Sequence, residues 1–305
     1  MKPPFLKLTA FCFLAVQLAS CTTTGPGLFK KKSPHEQYRQ MLENAGLQKT
    51  ALGKKWIEEA EKSLSGPLEI SIPYKETGYF SAEQAQAAGL SFQAKRGEKI
   101  LVSLERKPVQ NFRIYVDLWR RKANEKLKLL AFADTTEASF SYEIDDEGEY
   151  LLRLQPELLV SGEYTLSISS GPSLAFPVGG KGINSIQSLY GVDRDAGRRK
   201  HEGVDIFAER RTPALAAAPG VITRAGENNL GGKVVFLRPE NRNYTLYYGH
   251  LDTQLVQDGK RVQVGDTLGL IGNTGNARAT APHLHFGIYT FNGAVDPLPF
   301  IDPRE

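Results

Sequence analysis

Read for its alternation of apolar and polar positions, the chain divides into one helical stretch and two long stretches of strand. Between residues 35 and 64, Tyr38, Met41, Leu42, Ala45 and Leu47, then Ala51, Trp56, Ile57 and Ala60, recur at roughly helical spacing. Gly46 and Gly53 interrupt the pattern, and Gly66-Pro67 closes it, so short helices are expected. From residue 67 the period changes to two. In FRIYVDLW, Phe112, Ile114, Val116 and Leu118 share one parity, and Arg113, Tyr115 and Asp117 share the other, as in a half-buried strand. Leu101 and Val102 sit in a similar run, Tyr150 to Leu154 follow Gly148, and Tyr164, Leu166 and Ile168 alternate with Thr165 and Ser167 after Gly162. Short strands at this spacing predict an antiparallel β-sandwich over 67–177, with its polar residues as a solvated face.

Pro177-Val178-Gly179-Gly180-Lys181-Gly182 marks a boundary. Beyond it the chain is again strand-rich: Asn241-Arg242-Asn243 separates VVFL from YTLYY as a hairpin, and glycines at 259, 265, 269, 272 and 275 fit tight turns. The expected fold class is mainly β: N-terminal short helices (35–66) and an antiparallel β-sandwich (67–177), then a C-terminal antiparallel β-sheet domain (178–305).

The first residues break this pattern. Lys2 and Lys7 precede and flank an apolar run, Leu8 to Ala19, that is shorter than the ~20 residues a membrane-spanning helix needs. Residues 1–20 therefore read as a signal peptide. The run ends in Leu18-Ala19-Ser20-Cys21, which resembles a bacterial lipobox and implies cleavage before Cys21 and a lipid on that cysteine. By the same resemblance, Thr22 after the cysteine implies an outer-membrane anchor facing the periplasm. Residues 21–34, rich in Thr, Gly, Pro, Lys and Ser, read as a flexible tether with an extended reach of roughly 40 Å. Of the two cysteines, Cys12 leaves with the signal peptide and Cys21 takes lipid, so none remains for a disulfide.

The chain has 305 residues, 41% of them apolar and 24% charged, which fits a soluble globular protein of about two domains. The net charge of +4 falls to about +2 without Lys2 and Lys7, too weak a bias for a nucleic-acid partner.

The chemistry concentrates near the C-terminus. Four of the five histidines, His201, His250, His283 and His285, fall within 85 residues. In H-E-G-V-D-I-F, His201 and Asp205 stand four apart; along an extended segment they point to one face and can reach one metal ion. In P-H-L-H-F, His283 and His285 share one face of a strand while Leu284 and Phe286 face the core. Both histidines can then converge on one ion, or one can bind it while the other sits beside a bound water. His201-Glu202 does not begin the zinc-helix motif HExxH, because Asp205 stands where that motif needs histidine and Gly203 disfavours a helix.

The stretches HEGVDIFA, LAAAPGVITRAG, YGHL, VGDTLGLIGNTG and APHLHFGIY, in this order, resemble the lysostaphin-type zinc endopeptidases of bacterial cell walls over about residues 183–300. The resemblance implies one zinc per chain held by His201, Asp205 and His285, with His250 and His283 as non-ligand catalytic histidines. It implies a groove in a mainly antiparallel sheet, and cross-linked peptidoglycan as substrate. Three protein ligands on zinc would leave one position for water. Two departures stand out: Arg278-Ala279-Thr280-Ala281 precedes Pro282 where the family often reads Ser-Thr-Gly, and Gly249 replaces a frequent alanine. Members that have lost ligands act instead as activators of cell-wall amidases, an alternative that the complete set of five positions disfavours. One of Tyr247 and Tyr248 is expected to line the groove. The helical segment, or the stretch near Asn184, is a candidate cover for it.

Overall fold

The computed structural model describes residues 32–122, 125–134 and 139–302. The expected signal peptide, Cys21 and the expected tether as far as residue 31 lie outside the described residues.

Two helices open the described residues. Ser33 caps α1 (Pro34–Asn44): its hydroxyl accepts from the Glu36 amide at 3.2 Å, and Pro34 starts the first turn. Gly46, at φ 71°, turns the chain, and Thr50 caps α2 (Ala51–Ser65) by accepting from the Gly53 amide at 3.1 Å. Only Gly46 separates helices; Gly53, expected to interrupt, sits inside the first turn of α2, where a Cβ would stand 2.1 Å from the Leu47 carbonyl oxygen.

Nine strands follow: β1 (Leu68–Glu69), β2 (Tyr74–Phe80), β3 (Ala88–Ala94), β4 (Glu98–Lys107), β5 (Ile114–Arg121), β6 (Lys128–Phe132), β7 (Ser139–Glu143), β8 (Gly148–Pro156) and β9 (Gly162–Pro172). They form the predicted sandwich, one sheet in the order β1-β3-β8-β5-β6 and the other β2-β9-β4-β7. Apolar residues of both inner faces, among them Phe92, Ile100, Leu118, Leu152 and Leu166, make one core.

The outer face of β3, β8 and β5 is not the solvated surface expected. The two helices lie across it, so Tyr115, Asp117, Arg153 and Gln155 are all buried. Trp56 of α2 stacks on His35, shares a buried cluster with Tyr115, and donates from its indole nitrogen to the Pro156 carbonyl at 2.9 Å. Gln155 donates to the Trp56 carbonyl at 2.8 Å, and Arg153 pairs with Asp117. The approach is close enough that a Cβ on Gly89 would stand 1.7 Å from the Ser63 carbonyl oxygen. Truncating Trp56, which is only 1% exposed, would remove roughly 3–5 kcal/mol.

The chain passes into its second core almost at once. Leu174 and Val178 are already buried there. This domain is built on β10 (Ile186–Ser188), β11 (Asp193–Arg194), β12 (Arg199–Lys200), β13 (Val204–Phe207), β14 (Pro213–Leu215), β15 (Gly220–Asn228), β16 (Gly232–Pro239), β17 (Tyr244–Gln254), β18 (Arg261–Val262), β19 (Thr267–Ile271), β20 (His283–Thr290) and β21 (Gly293–Val295), closed by α3 (Leu298–Ile301). Its main sheet runs β10-β13-β20-β17-β16-β15-β18, antiparallel throughout. One face carries the core, including Val204, Ile206, Leu246, Tyr248, Leu284 and Phe286.

The halves meet at one end of β17. Arg242, in the turn before that strand, donates to Glu143 at 2.6 Å and to the Ser173 carbonyl at 3.0 Å. The Leu174 amide donates to the Phe300 carbonyl at 2.9 Å.

Candidate active site

On the face of the main sheet opposite the core, the strand register assembles a row. Asp205 of β13 pairs with His285 of β20, which pairs in turn with Gly249 of β17. Alternation then works as the sequence predicts: Leu284 and Phe286 are fully buried in the core, and His283 and His285 project on the other side. His201 precedes β13 and is fixed by its own backbone, which donates to the Val192 carbonyl and accepts from the Gly191 amide, both at 2.8 Å.

Three side chains converge. His201 Nε2, Asp205 Oδ1 and His285 Nδ1 lie 3.0 Å from one another, in each of the three pairings. His201 Nδ1 is 2.8 Å from the Leu189 carbonyl and donates to it, which leaves Nε2 as a lone-pair donor toward the other two. Ligands around tetrahedral zinc, with bonds of about 2.0–2.1 Å, stand roughly 3.4 Å apart. Two imidazole nitrogens and a carboxylate oxygen, largely buried and this close, suit such an ion in number, chemistry and spacing.

The electrostatics agree. Burial alone would raise the Asp205 pKa, but the imidazoles of His201 and His285 beside it outweigh that and hold the carboxyl well below its ordinary range. Asp205 therefore stays an anion. Burial lowers His285, against the pull of Asp205.

The other two histidines stand beside this cluster. His283 donates from Nδ1 to the Ala281 carbonyl at 2.8 Å, stacks on Phe207 at 4.9 Å, and its Nε2 lies 3.9 Å from Asp205 Oδ1. His250 donates from Nδ1 to the Thr274 carbonyl at 2.9 Å, and its ring lies 4.9 Å from that of His283. The backbone of His250 is unusual. The β16–β17 register slips between Lys233 and Val235, and His250 adopts φ 62°, a left-handed conformation uncommon outside glycine. Such a bulge turns a side chain that regular alternation would aim elsewhere. Burial first, then the charges of His283 and His285, lowers the His250 pKa to about 4. Its Nε2 is thus a free base at neutral pH.

A groove of about 830 Å³ runs over these groups, with residues 187–207 as one wall and 228–236 and 276–280 as parts of the others. Tyr247 and Tyr289 line it, while Tyr248 is wholly buried and accepts nothing from it; its hydroxyl instead receives the Ala217 amide at 3.0 Å. The helical segment contributes no lining residue, because it packs on the sandwich. The stretch after Asn184 forms a wall of the groove rather than a plug. Sequence reasoning missed Arg194, which donates to Asp205 Oδ2 at 2.7 Å. No periodicity marks that arginine, since it stands on a two-residue strand.

Fold and site together define a β-sheet groove with a largely buried metal-type triad and two flanking histidines, the arrangement of a metal-dependent hydrolase. Residues 199–297 match peptidase family M23. The chain is 34% identical over 143 residues to the L-Ala--D-Glu endopeptidase of Bacillus subtilis, covering 43% of this chain and 44% of that protein. It is 41% identical over 88 residues to the peptidoglycan DD-endopeptidase ShyC of Vibrio cholerae, covering 29% and 20%. It is 35% identical over 105 residues to a lipoprotein NlpD/LppB homolog of Pseudomonas aeruginosa, covering 34% of each. Among solved structures, the catalytic domain of lysostaphin from Staphylococcus simulans is 35% identical, with 38% of this chain and 92% of that one covered at a TM-score of 0.35. The chain spans less than half the length of the three curated relatives named here.

Proposed function

We propose that the protein is a zinc-dependent endopeptidase that hydrolyses peptide cross-links of bacterial peptidoglycan. The observation that carries this reading is the convergence of His201, Asp205 and His285 at 3.0 Å beneath an open groove. Those three residues would hold the ion. Zinc bound there would supply Lewis acidity to a peptide carbonyl and to the attacking water.

His250 and His283 do the proton work. Each donates its Nδ1 proton to a backbone carbonyl, so each can offer Nε2 as a base. A ring that takes a proton from water at Nε2 becomes a donor and can pass that proton to the departing amine. Protonated, it can also support negative charge on the carbonyl oxygen. The backbone carbonyls fix both rings in advance, so no reorientation precedes reaction. Tyr247 lies edge-on to His285, with ring centres 5.7 Å apart, and forms part of the floor along which an extended peptide would run.

Location follows the same reading. The lipobox-like sequence at Cys21 and the relative named as a lipoprotein support an envelope protein anchored in the outer membrane and facing the periplasm, beside its substrate. The complete donor set favours catalysis over the role of a silent amidase activator.

The test is elemental analysis of the purified protein, with release of soluble fragments from purified peptidoglycan measured with and without a chelator. About one zinc per chain and chelator-sensitive release are expected. Absence of both zinc and release would overturn the proposal.

A further inference from the structure

The ribbon β11–β12 has no counterpart in the sequence-level reading of the site, yet it touches two of the three converging residues. Its strands pair Asp193 with Lys200 and Arg194 with Arg199, and β12 runs directly into His201. Arg194 reaches from this ribbon across to β10 and β13. A single nitrogen, Nη2, donates to Ser188 Oγ at 2.6 Å and to Asp205 Oδ2 at 2.7 Å. Ser188 is the residue that pairs with Asp205 in the sheet, and its hydroxyl lies 3.3 Å from His201 Nδ1.

The two oxygens of Asp205 therefore have separate duties. Oδ1 faces His201 Nε2 and His285 Nδ1; Oδ2 is occupied by the guanidinium. An exposed ion pair of this kind would contribute little. Asp205 is 7% exposed, however, and a charge-assisted bond to a nearly buried carboxylate is strong and directional. A carboxylate whose second oxygen is free can rotate and grip a metal through both oxygens, filling a position that water or substrate needs.

We propose that Arg194 is a positioning residue that holds Asp205 to a single-oxygen mode at the metal position. It acts on the metal position through Asp205. This rests on the zinc reading above, and the experiment separates the two.

The full chain is prepared as wild type, Arg194→Gln and Arg194→Lys. Zinc affinity is measured by competition with a chromophoric chelator, and the visible spectrum is recorded at saturating cobalt(II). Loss of a hydrogen bond that orients a metal ligand typically weakens binding 10–100-fold. Arg194→Gln is expected to lose zinc affinity in that range. Its cobalt bands are expected to weaken, as coordination rises when Asp205 binds through both oxygens. Arg194→Lys, which keeps the cation, is expected to fall between Gln and wild type. The metal-free variants are expected to melt within a few degrees of the wild type. Zinc affinity within threefold of wild type, or an unchanged cobalt spectrum, overturns the proposal. So does a collapse of the metal-free melting temperature that parallels the loss of zinc, since Arg194 would then serve only the fold. If the wild type itself binds no zinc, the functional reading fails instead.

Discussion

Gly203 and His285 lie so close that a Cβ on the glycine would stand 2.8 Å from Nε2 of the imidazole. It would also stand 2.4 Å from the Phe286 carbonyl oxygen, on the strand that carries His285. The glycine thus lets β13 and β20 meet with the ring of His285 pressed against the chain between His201 and Asp205. Gly203→Ala forces either the strand or the ring to move. The expected result is a folded protein, destabilised by about 1–3 kcal/mol, that retains little zinc. Full zinc content in the variant, measured by elemental analysis, would show that the contact does not set the ring.

His285 and His250 should separate under mutation. His285→Ala removes one of the three converging donors and is expected to abolish both zinc content and peptidoglycan cleavage. His250→Ala removes a base whose Nδ1 is engaged by Thr274, and should leave zinc in place while slowing cleavage by roughly 10²–10⁴-fold. Equal loss of metal in both variants would reverse the division into ligands and bases.

A pH dependence of stability is expected far from the groove. His35 is buried against Trp56, and its Nε2 lies 2.6 Å from Gln155 Oε1. Burial, then the positive charge of Arg153, lowers its pKa to about 3, against 6.5 for an unperturbed histidine. Between those two values the unfolded chain binds a proton that the folded chain does not. The stability that neutral His35 allows is full above pH 6.5 and declines as pH falls toward 3. At pH 5 the decline amounts to about 2 kcal/mol relative to neutral pH. Urea unfolding of wild type and His35→Gln at pH 7.5 and 5.0 checks this. The wild type should lose about 2 kcal/mol more than the variant between the two pH values, and identical losses would remove His35 as the cause.

The pair Arg153–Asp117 beneath the helices offers a sharper contrast. Burial raises the Asp117 pKa, and the guanidinium opposes that rise. Arg153→Met leaves a buried carboxylate unpaired and should destabilise by about 3–5 kcal/mol. The double substitution Asp117→Leu with Arg153→Met should recover most of that loss, because neither charge then needs a partner. Thermal melts that place the double variant below the single one would contradict this account.

The converging residues were legible in the sequence because strand geometry is strictly periodic. A step of two in HLH and a step of four in HEGVD each return to the same face, and pairing of Asp205 with His285 completes the arrangement. Spacing marked His250 only as a nearby histidine; its catalytic role was implied by the resemblance in YGHL. Its direction depends on a bulge between β16 and β17 and a left-handed backbone, and neither leaves a periodic trace. Arg194 was missed for a related reason: its partner lies 11 residues away through a ribbon too short to show alternation. In the N-terminal half, the period of two in FRIYVDLW correctly marks a strand, but periodicity describes one sheet at a time. Tyr115 and Asp117 looked solvated because a helical layer supplied from residues 34–65 is invisible to the pattern of the strand it covers.

β17 begins beside Arg242, where the two halves are bonded, and carries Tyr247, Gly249 and His250 toward the groove. A single strand thus joins the handle to the blade. The direction in which the groove faces is tied to the same backbone that is fastened to the sandwich through Arg242. A constraint applied to the sandwich at Arg242 would therefore bear on the strand that carries the groove.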